Sequence, residues 1–330
     1  MVNRFCVGYG ACVDTSHNIR GVILALCGGI GWGFSGACAQ YMFSRYGIDP
    51  IWVSSLRMLC SGLLLCAFVL VAFRGAFLAL WKRPQTIVHL LVFSLAGLAF
   101  CQITYLITID YSNAGTATVI QYICPVLIVA YICLRGHRAP TLREVIAIVL
   151  VILGTYLLAT HGDPSSMVLS PQALFWGLTS AFAYALYSLL PGKLMLQYGS
   201  IPVVSAALLL GGIVVACFVQ PWNTIPTFDA FGWVVLLGGM VLCGTTISFT
   251  CFFQAVKDIG AAKTSLIASV ETVSATMFAV LWLGTSFELI DFVGFIFIVA
   301  TVFILASQKD APQKEGRQTK QHKKVSASHR

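Results

Sequence analysis

One carboxylate stands out. Glu271 lies near the middle of residues 260–283, GAAKTSLIASVETVSATMFAVLWL, and no other acidic residue sits as deep in an apolar run. A carboxylate at a bilayer centre costs about 2.5–3.5 kcal/mol on insertion scales, so this side chain is expected to face protein rather than lipid. Thr264, Ala268, Ser274 and Ala275 fall three or four residues from it or from one another and give a small, weakly polar stripe alongside. Small residues allow close helix approach or leave room for a solute. The chemistry such a group offers is a proton or cation site. The alternative is a structural carboxylate satisfied by neighbouring helices.

Arg57 is the second charge inside an apolar run. Six residues past Ile51, it sits about 9 Å below one membrane surface, and Glu271 lies about 16 Å from the other. Three uses are open to Arg57: binding a substrate carboxylate, pairing with Glu271, or snorkelling to the headgroups. The polar and aromatic midspan residues Trp32, Gln102, Tyr105, Gln121, Tyr122, Tyr184, Tyr187 and Gln254 are the further candidates for a solute pocket. Thr118, Gln121 and Pro125 share a helix face, and Pro125 is expected to free a backbone carbonyl and kink its helix.

These residues need elements to hold them. The chain has 330 residues, 58% hydrophobic and 10% charged, with a mean hydropathy of +0.87. Soluble domains carry about 25% charged residues, so an integral membrane protein is indicated. The apolar runs are continuous rather than alternating, which points to helices and away from a barrel. Ten spans are predicted, over 20–43, 51–73, 87–109, 113–134, 142–160, 172–195, 201–219, 230–255, 260–283 and 287–307.

Lysine and arginine alternate in the connections. One set holds Arg4 and Arg20, then Arg74, Lys82 and Arg83, then Arg135, Arg138 and Arg143, then Lys193, then Lys257 and Lys263, then the basic tail. The opposite set holds only Arg45. By the positive-inside rule both termini are expected in the cytoplasm. The net charge of +8 is spread over loops and tail, not gathered on a groove-sized face, so no nucleic-acid partner is expected.

The chain repeats itself. Tyr46-Gly47-Ile48-Asp49-Pro50 and Tyr198-Gly199-Ser200-Ile201-Pro202 both read Y-G-x-x-P, 152 residues apart. Ala114-Gly115-Thr116-Ala117 and Gly260-Ala261-Ala262-Lys263 open the fourth and ninth spans, and at a shift of 147 residues Cys124 falls on Glu271 and Pro125 on Thr272. Five spans per repeat force the second copy to insert upside down. The predicted fold is an all-α membrane protein of ten transmembrane helices in two inverted five-helix repeats. Residues 1–19 are read as a cytoplasmic tail, 20–160 as the first repeat, 161–171 as an external linker, 172–307 as the second repeat, and 308–330 as a basic disordered cytoplasmic tail.

Other chemistries find little support. The 12 cysteines show no metal spacing, ten of them falling in apolar spans where a thiol is a small hydrophobe. The histidines fall at loops, tails or helix ends. Gly29 and Gly33 form a G-x-x-x-G without a Walker lysine, which suits helix packing better than phosphate binding. No metal, no cofactor and no enzymatic activity are expected. A polytopic enzyme or receptor is the competing class, and it leaves the inverted repeat without a purpose.

Several of these residues resemble the drug/metabolite transporter superfamily, in its ten-helix EamA-type branch. Trp32-Gly33-Phe34-Ser35 is similar to that family's opening motif, and Arg57 to its recurrent arginine in the second span. Tyr105, Ala114-Gly115-Thr116-Ala117 and Pro125 resemble its third-to-fourth span block. Tyr184-Ala185-Leu186-Tyr187 resembles the opening of its second copy. Val270-Glu271-Thr272-Val273 resembles its L-E-P-V motif, with Thr272 where proline is usual. The resemblance spans residues 20–307. It implies a secondary transporter in the cell membrane, exporting a small polar or amphipathic metabolite such as an amino acid by alternating access. Proton coupling through Glu271 is a further step of that reading. A drug or nucleotide-sugar substrate is the alternative within the class. The expected partners are the metabolite, the lipid bilayer and protons; the sequence sets no oligomeric state.

Overall fold

A computed structural model describes residues 15–136, 139–163, 168–259, 264 and 267–306. The two tails, the Gly260–Lys263 motif, His137 and Arg138 lie outside the described residues. Among the described residues there is no strand. Besides a short helix at Arg74–Leu80, ten apolar helices follow in order among the described residues: α1 Thr15–Tyr46, α2 Pro50–Ala72, α3 Pro84–Tyr111, α4 Ala114–Arg135, α5 Leu142–Thr160, α6 Pro171–Tyr198, α7 Ser200–Val219, α8 Ala230–Ile259, α9 Val270–Leu283 and α10 Leu289–Ala306. The first eight are long and apolar enough to cross a membrane; α9 and α10 are shorter apolar helices.

The two repeats interlock symmetrically. Helix α2 packs along α7, and α5 along α10. Helix α1 packs on α8 and α9, while its counterpart α6 packs on α3 and α4. Each repeat therefore presents its first helix to the third and fourth helices of the other.

The repeat motifs have the same local conformation. Gly47 and Gly199 close α1 and α6 at φ +59° and +86°, a region open to glycine and closed to most other residues. Three residues on, Pro50 stands in the first turn of α2 and Pro202 in that of α7, where a missing N–H costs nothing.

Both repeats also leave regular α-helix at matching places. The third helices α3 and α8 contain π-helical stretches, Phe93–Ala99 and Val234–Ile247. The fourth helices are interrupted. Helix α4 runs as Ala114–Gln121 and Cys124–Arg135, with the break at Tyr122–Ile123. The break before α9 falls at Ser269, which is Tyr122 advanced by the 147-residue shift.

Sequence reasoning treated 260–283 as one continuous helix with Glu271 mid-span; the structure corrects this. Glu271 is the second residue of α9, in its first turn. The cause is local. In α4 the break comes two residues before Pro125, which cannot donate to the Gln121 carbonyl. In α9 Thr272 occupies the proline's position and turns both its N–H and its hydroxyl onto the Ser269 carbonyl, at 3.2 and 2.8 Å. A threonine bonding back in this way competes with the helical pattern.

Helix α1 approaches this break closely. A Cβ on Gly29 would lie 2.7 Å from the Ala268 carbonyl oxygen, and one on Gly33 would meet Ser274 Oγ and, at 2.8 Å, the Glu271 carbonyl oxygen. The G-x-x-x-G is thus the surface on which the break of α9 rests. At the end of α5, His161 contacts Asp291 Oδ1 at 2.9 Å and Glu288 Oε2 at 3.3 Å, tying α5 to α10.

Overpacking a close backbone approach costs about 1–3 kcal/mol. Gly33→Ala is expected to lower the thermal midpoint of the purified protein, whereas Gly75→Ala, with nothing within 4 Å of its added methyl, leaves it unchanged. Differential scanning fluorimetry in detergent compares the two.

Candidate functional site

The interlocked helices line a partly open cavity of about 80 Å³. Its walls come from both repeats: Trp32 on α1, Arg57 on α2, Leu98, Cys101, Gln102 and Tyr105 on α3, Gln121 on α4, Tyr184 and Tyr187 on α6, Phe249 on α8 and Glu271 on α9. Trp32, Gln102, Tyr184 and Tyr187 are half-buried, whereas Arg57 and Glu271 are 5% and 9% exposed, so the two charges lie at the deep end.

The sequence candidates fare differently. Eight of the ten line the cavity: Trp32, Arg57, Gln102, Tyr105, Gln121, Tyr184, Tyr187 and Glu271. Tyr122 stands behind the wall and holds Glu271. Gln254 is not on the cavity wall: its Nε2 donates to Asp258 Oδ1 at 3.0 Å, and Asp258 in turn pairs with Arg20 of α1 at 3.2 Å. Five residues from Phe249, Gln254 points about 140° away from it around the helix.

Leu98, Cys101 and Phe249 were missed. Leu98, Cys101 and Tyr105 form an i, i+3, i+7 stripe, and that spacing was the available signal. Phe249 gave none.

The charges are held separately. Arg57 Nε donates to Thr245 Oγ1 at 2.8 Å. Thr245 Oγ1 in turn donates to the Met240 carbonyl five residues back, at 2.9 Å. That reach of five residues is the register of the π-helical stretch, so the wide helix sets the guanidinium plane. Arg57 is buried, which sets aside the snorkelling use, and it makes no ion pair with Glu271 within 4.0 Å. Its Nη1 is buried without a hydrogen-bond partner.

Glu271 sits in the first turn of α9. The Tyr122 hydroxyl lies 3.2 Å from Glu271 Oε2 and 3.5 Å from the Ala268 carbonyl oxygen. One hydroxyl from the break in α4 thus touches both sides of the break before α9.

The remaining polar wall is bonded in place. Gln121 Nε2 donates to Ser180 Oγ at 2.7 Å, joining α4 to α6. Thr118 gives its proton to the Ala114 carbonyl, so the Tyr105 hydroxyl, 2.7 Å away, is the donor to Thr118. Trp32 rests on Phe249 and Phe252, with centroids 5.3 and 5.0 Å apart. Tyr184 and Tyr187 stack at 5.7 Å and 13°.

Aromatic rings cluster between α1, α8 and α9 near the 44–50 and 220–229 connections. Trp282 stacks on Tyr41 and Phe34 at 5.3 and 5.9 Å, Tyr41 meets Phe231 at 5.6 Å, and Tyr46 meets Phe228 at 5.2 Å. Tyr46 donates to Asp229 Oδ1 at 2.6 Å, a bond that holds the Asp229 carboxyl below its ordinary value.

Comparison with known proteins follows the same two halves. The profile of the EamA-like transporter family matches residues 19–160 and again 171–307. The chain belongs to the EamA-like transporter family. Among relatives of this EamA-like protein, the uncharacterized inner membrane transporter YicL of Salmonella typhimurium is 35% identical over 87% of this chain and 95% of its own. An uncharacterized transporter of Archaeoglobus fulgidus is 20% identical over 82% of this chain and 93% of its own. A solved crystal structure covers 88% of the EamA-like chain and 96% of its own at a TM-score of 0.58 and 14% identity, which speaks to the fold alone.

Thr245→Val removes the acceptor of Arg57 Nε and leaves a buried donor unpaired, a loss of about 1–3 kcal/mol. The thermal midpoint is expected to fall for Thr245→Val and to hold for Thr245→Ser, which keeps the hydroxyl.

Proposed function

We propose that this EamA-like transporter is a secondary carrier that exports a small polar or amphipathic metabolite, such as an amino acid, by alternating access, coupled to protons through Glu271. The family membership supports carriage of a small solute across the membrane rather than catalysis. The observation that carries the coupling is the Tyr122–Glu271 contact between the two helix breaks.

The contact depends on the proton. An ionised Glu271 accepts from the Tyr122 hydroxyl and can do nothing else toward it. A protonated Glu271 can donate, so the hydroxyl is released to turn toward the Ala268 carbonyl or the cavity. Protonation therefore changes the link between the two repeats at the points where their fourth helices are interrupted. In this reading the aromatic layer around Tyr41 and Trp282 seals the external side while the solute enters from the cytoplasm. The termini are cytoplasmic and the 161–171 connection external, as the charge alternation supports.

Flux in proteoliposomes tests this. With one proton per solute, a gradient of one pH unit supports accumulation of about tenfold. Glu271→Gln is expected to abolish gradient-driven accumulation while leaving solute exchange intact. Full gradient-driven transport by that variant would remove Glu271 from the coupling role.

A further inference from the structure

Between α2 and α3 the chain does more than turn. Phe73 ends α2, the short helix Arg74–Leu80 follows, and Arg83 is extended ahead of Pro84, which opens α3. Both flanking helices are long and apolar enough to cross the membrane, so the short helix lies at a membrane surface. Its inner residues are fixed. Phe77 and Leu80 are buried in a core shared with Leu65 and Val69 of α2, Leu90 of α3 and Leu194 of α6. The outer apolar residues are left uncovered: Phe73, Leu78 and Trp81 are 40%, 46% and 36% exposed. Arg74, Leu78 and Trp81 stand at i, i+4 and i+7 on one face. Large apolar side chains beside cations on an exposed face suit a helix lying in the headgroup layer.

The cations of this segment are unmatched. Arg74, Lys82 and Arg83 are exposed, and among the described residues none of them has a carboxylate partner within 4.0 Å. The short helix packs on α2, on α7 and on the Gly192–Tyr198 end of α6. None of those three helices contains an acidic residue, and α6 adds the exposed Lys193 at this end. Along the chain no Asp or Glu falls between Asp49 and Asp110. The positive charge is therefore left to be met from outside the protein.

Repeat symmetry does not demand this feature. The matching connection of the second copy, 220–229 between α7 and α8, has no Lys or Arg, forms no helix and carries Asp229.

We propose that residues 73–83, together with Lys193, form a docking site for the headgroups of anionic phospholipids. Arg74, Lys82, Arg83 and Lys193 meet the phosphates, and Phe73, Leu78 and Trp81 seat in the adjoining acyl region. Charge complementarity selects this occupant. Each Lys or Arg near an anionic surface contributes about a fivefold preference, and tryptophan favours the headgroup level. Phosphatidylcholine covers the apolar face but brings no net charge. Free phosphate meets the same cations in bulk water, where exposed charge pairs gain little, and leaves the aromatic face uncovered.

The test uses the full-length protein in nanodiscs of phosphatidylcholine doped with a lipid brominated in its acyl chains, either phosphatidylglycerol or phosphatidylcholine. Bromine quenches tryptophan on contact, and the difference between the parent and Trp81→Phe isolates the Trp81 signal. Brominated phosphatidylglycerol is expected to quench Trp81 at a lower lipid fraction than brominated phosphatidylcholine. The fraction giving half-maximal quenching is expected to rise about fivefold for Lys82→Gln. The two lipids become equal for the triple variant Arg74→Gln, Lys82→Gln, Arg83→Gln. Since these side chains have no carboxylate partner, that variant is expected to keep the parent's thermal midpoint in phosphatidylcholine discs.

Two measurements do not depend on the triple variant. Arg74→Lys with Arg83→Lys keeps the charges and is expected to keep the preference. Raising salt from about 0.05 to about 0.5 M is expected to weaken it for the parent. Equal quenching of the parent by both lipids would overturn the proposal. So would a preference that survives high salt, one that survives the triple substitution in a folded variant, or one that is lost in the lysine double variant. An equal loss from Arg135→Gln, on the connection between α4 and α5, would reduce the effect to general surface charge and overturn the site. Displacement of brominated phosphatidylglycerol by inorganic phosphate would assign the cations to a soluble anion and overturn it as well.

Discussion

The structure is shaped by the need to keep two opposite charges deep in an apolar bundle without letting them neutralise each other. If Arg57 and Glu271 paired directly, the cavity would become a closed salt bridge with little reason to admit a polar solute. Each is instead held by a hydroxyl on another helix, Arg57 by Thr245 and Glu271 by Tyr122. Those hydroxyls dictate much else. Thr245 reaches the carbonyl it needs because α8 is π-helical there. Tyr122 reaches Glu271 because both fourth helices are broken at the same depth.

The internal symmetry gives those departures a common origin. Wide third helices and broken fourth helices occur in both repeats, although the residues at the breaks differ. Proline interrupts the helix in one copy, and a threonine that bonds back to Ser269 accompanies the interruption in the other. The geometry has outlasted the residue type that is its usual cause. Departures from regular helix at matched depths are natural places for one repeat to move against the other. The Gly29–Gly33 face of α1 bears directly on one of them.

Much of this was legible in the residues. Long apolar runs and the charge alternation gave ten helices, and an ionisable group in hydrocarbon pointed to Glu271 and Arg57. Tyr105, Tyr184 and Tyr187 were visible as polar tips inside apolar helices. The break at Ser269 was not, because serine and threonine are common within membrane helices and only the tertiary setting decides whether they bond back. Gln254 was misplaced because its polarity was weighed without its angle, which turns it to Asp258 and away from Phe249. Phe249 itself is one of 22 phenylalanines, and nothing in its surroundings in the sequence marks a wall from a lipid-facing ring.

Alternating access requires that the one cavity built by both repeats open in turn to the two sides of the membrane. Gln102, half-buried on the wall, is the place to ask. In a transport-competent, cysteine-depleted background, Gln102→Cys can be exposed to a membrane-impermeant maleimide from each face of oriented vesicles, with and without a proton gradient. The account predicts labelling from both faces, with the balance shifted by the gradient. Labelling confined to one face under every condition would contradict it.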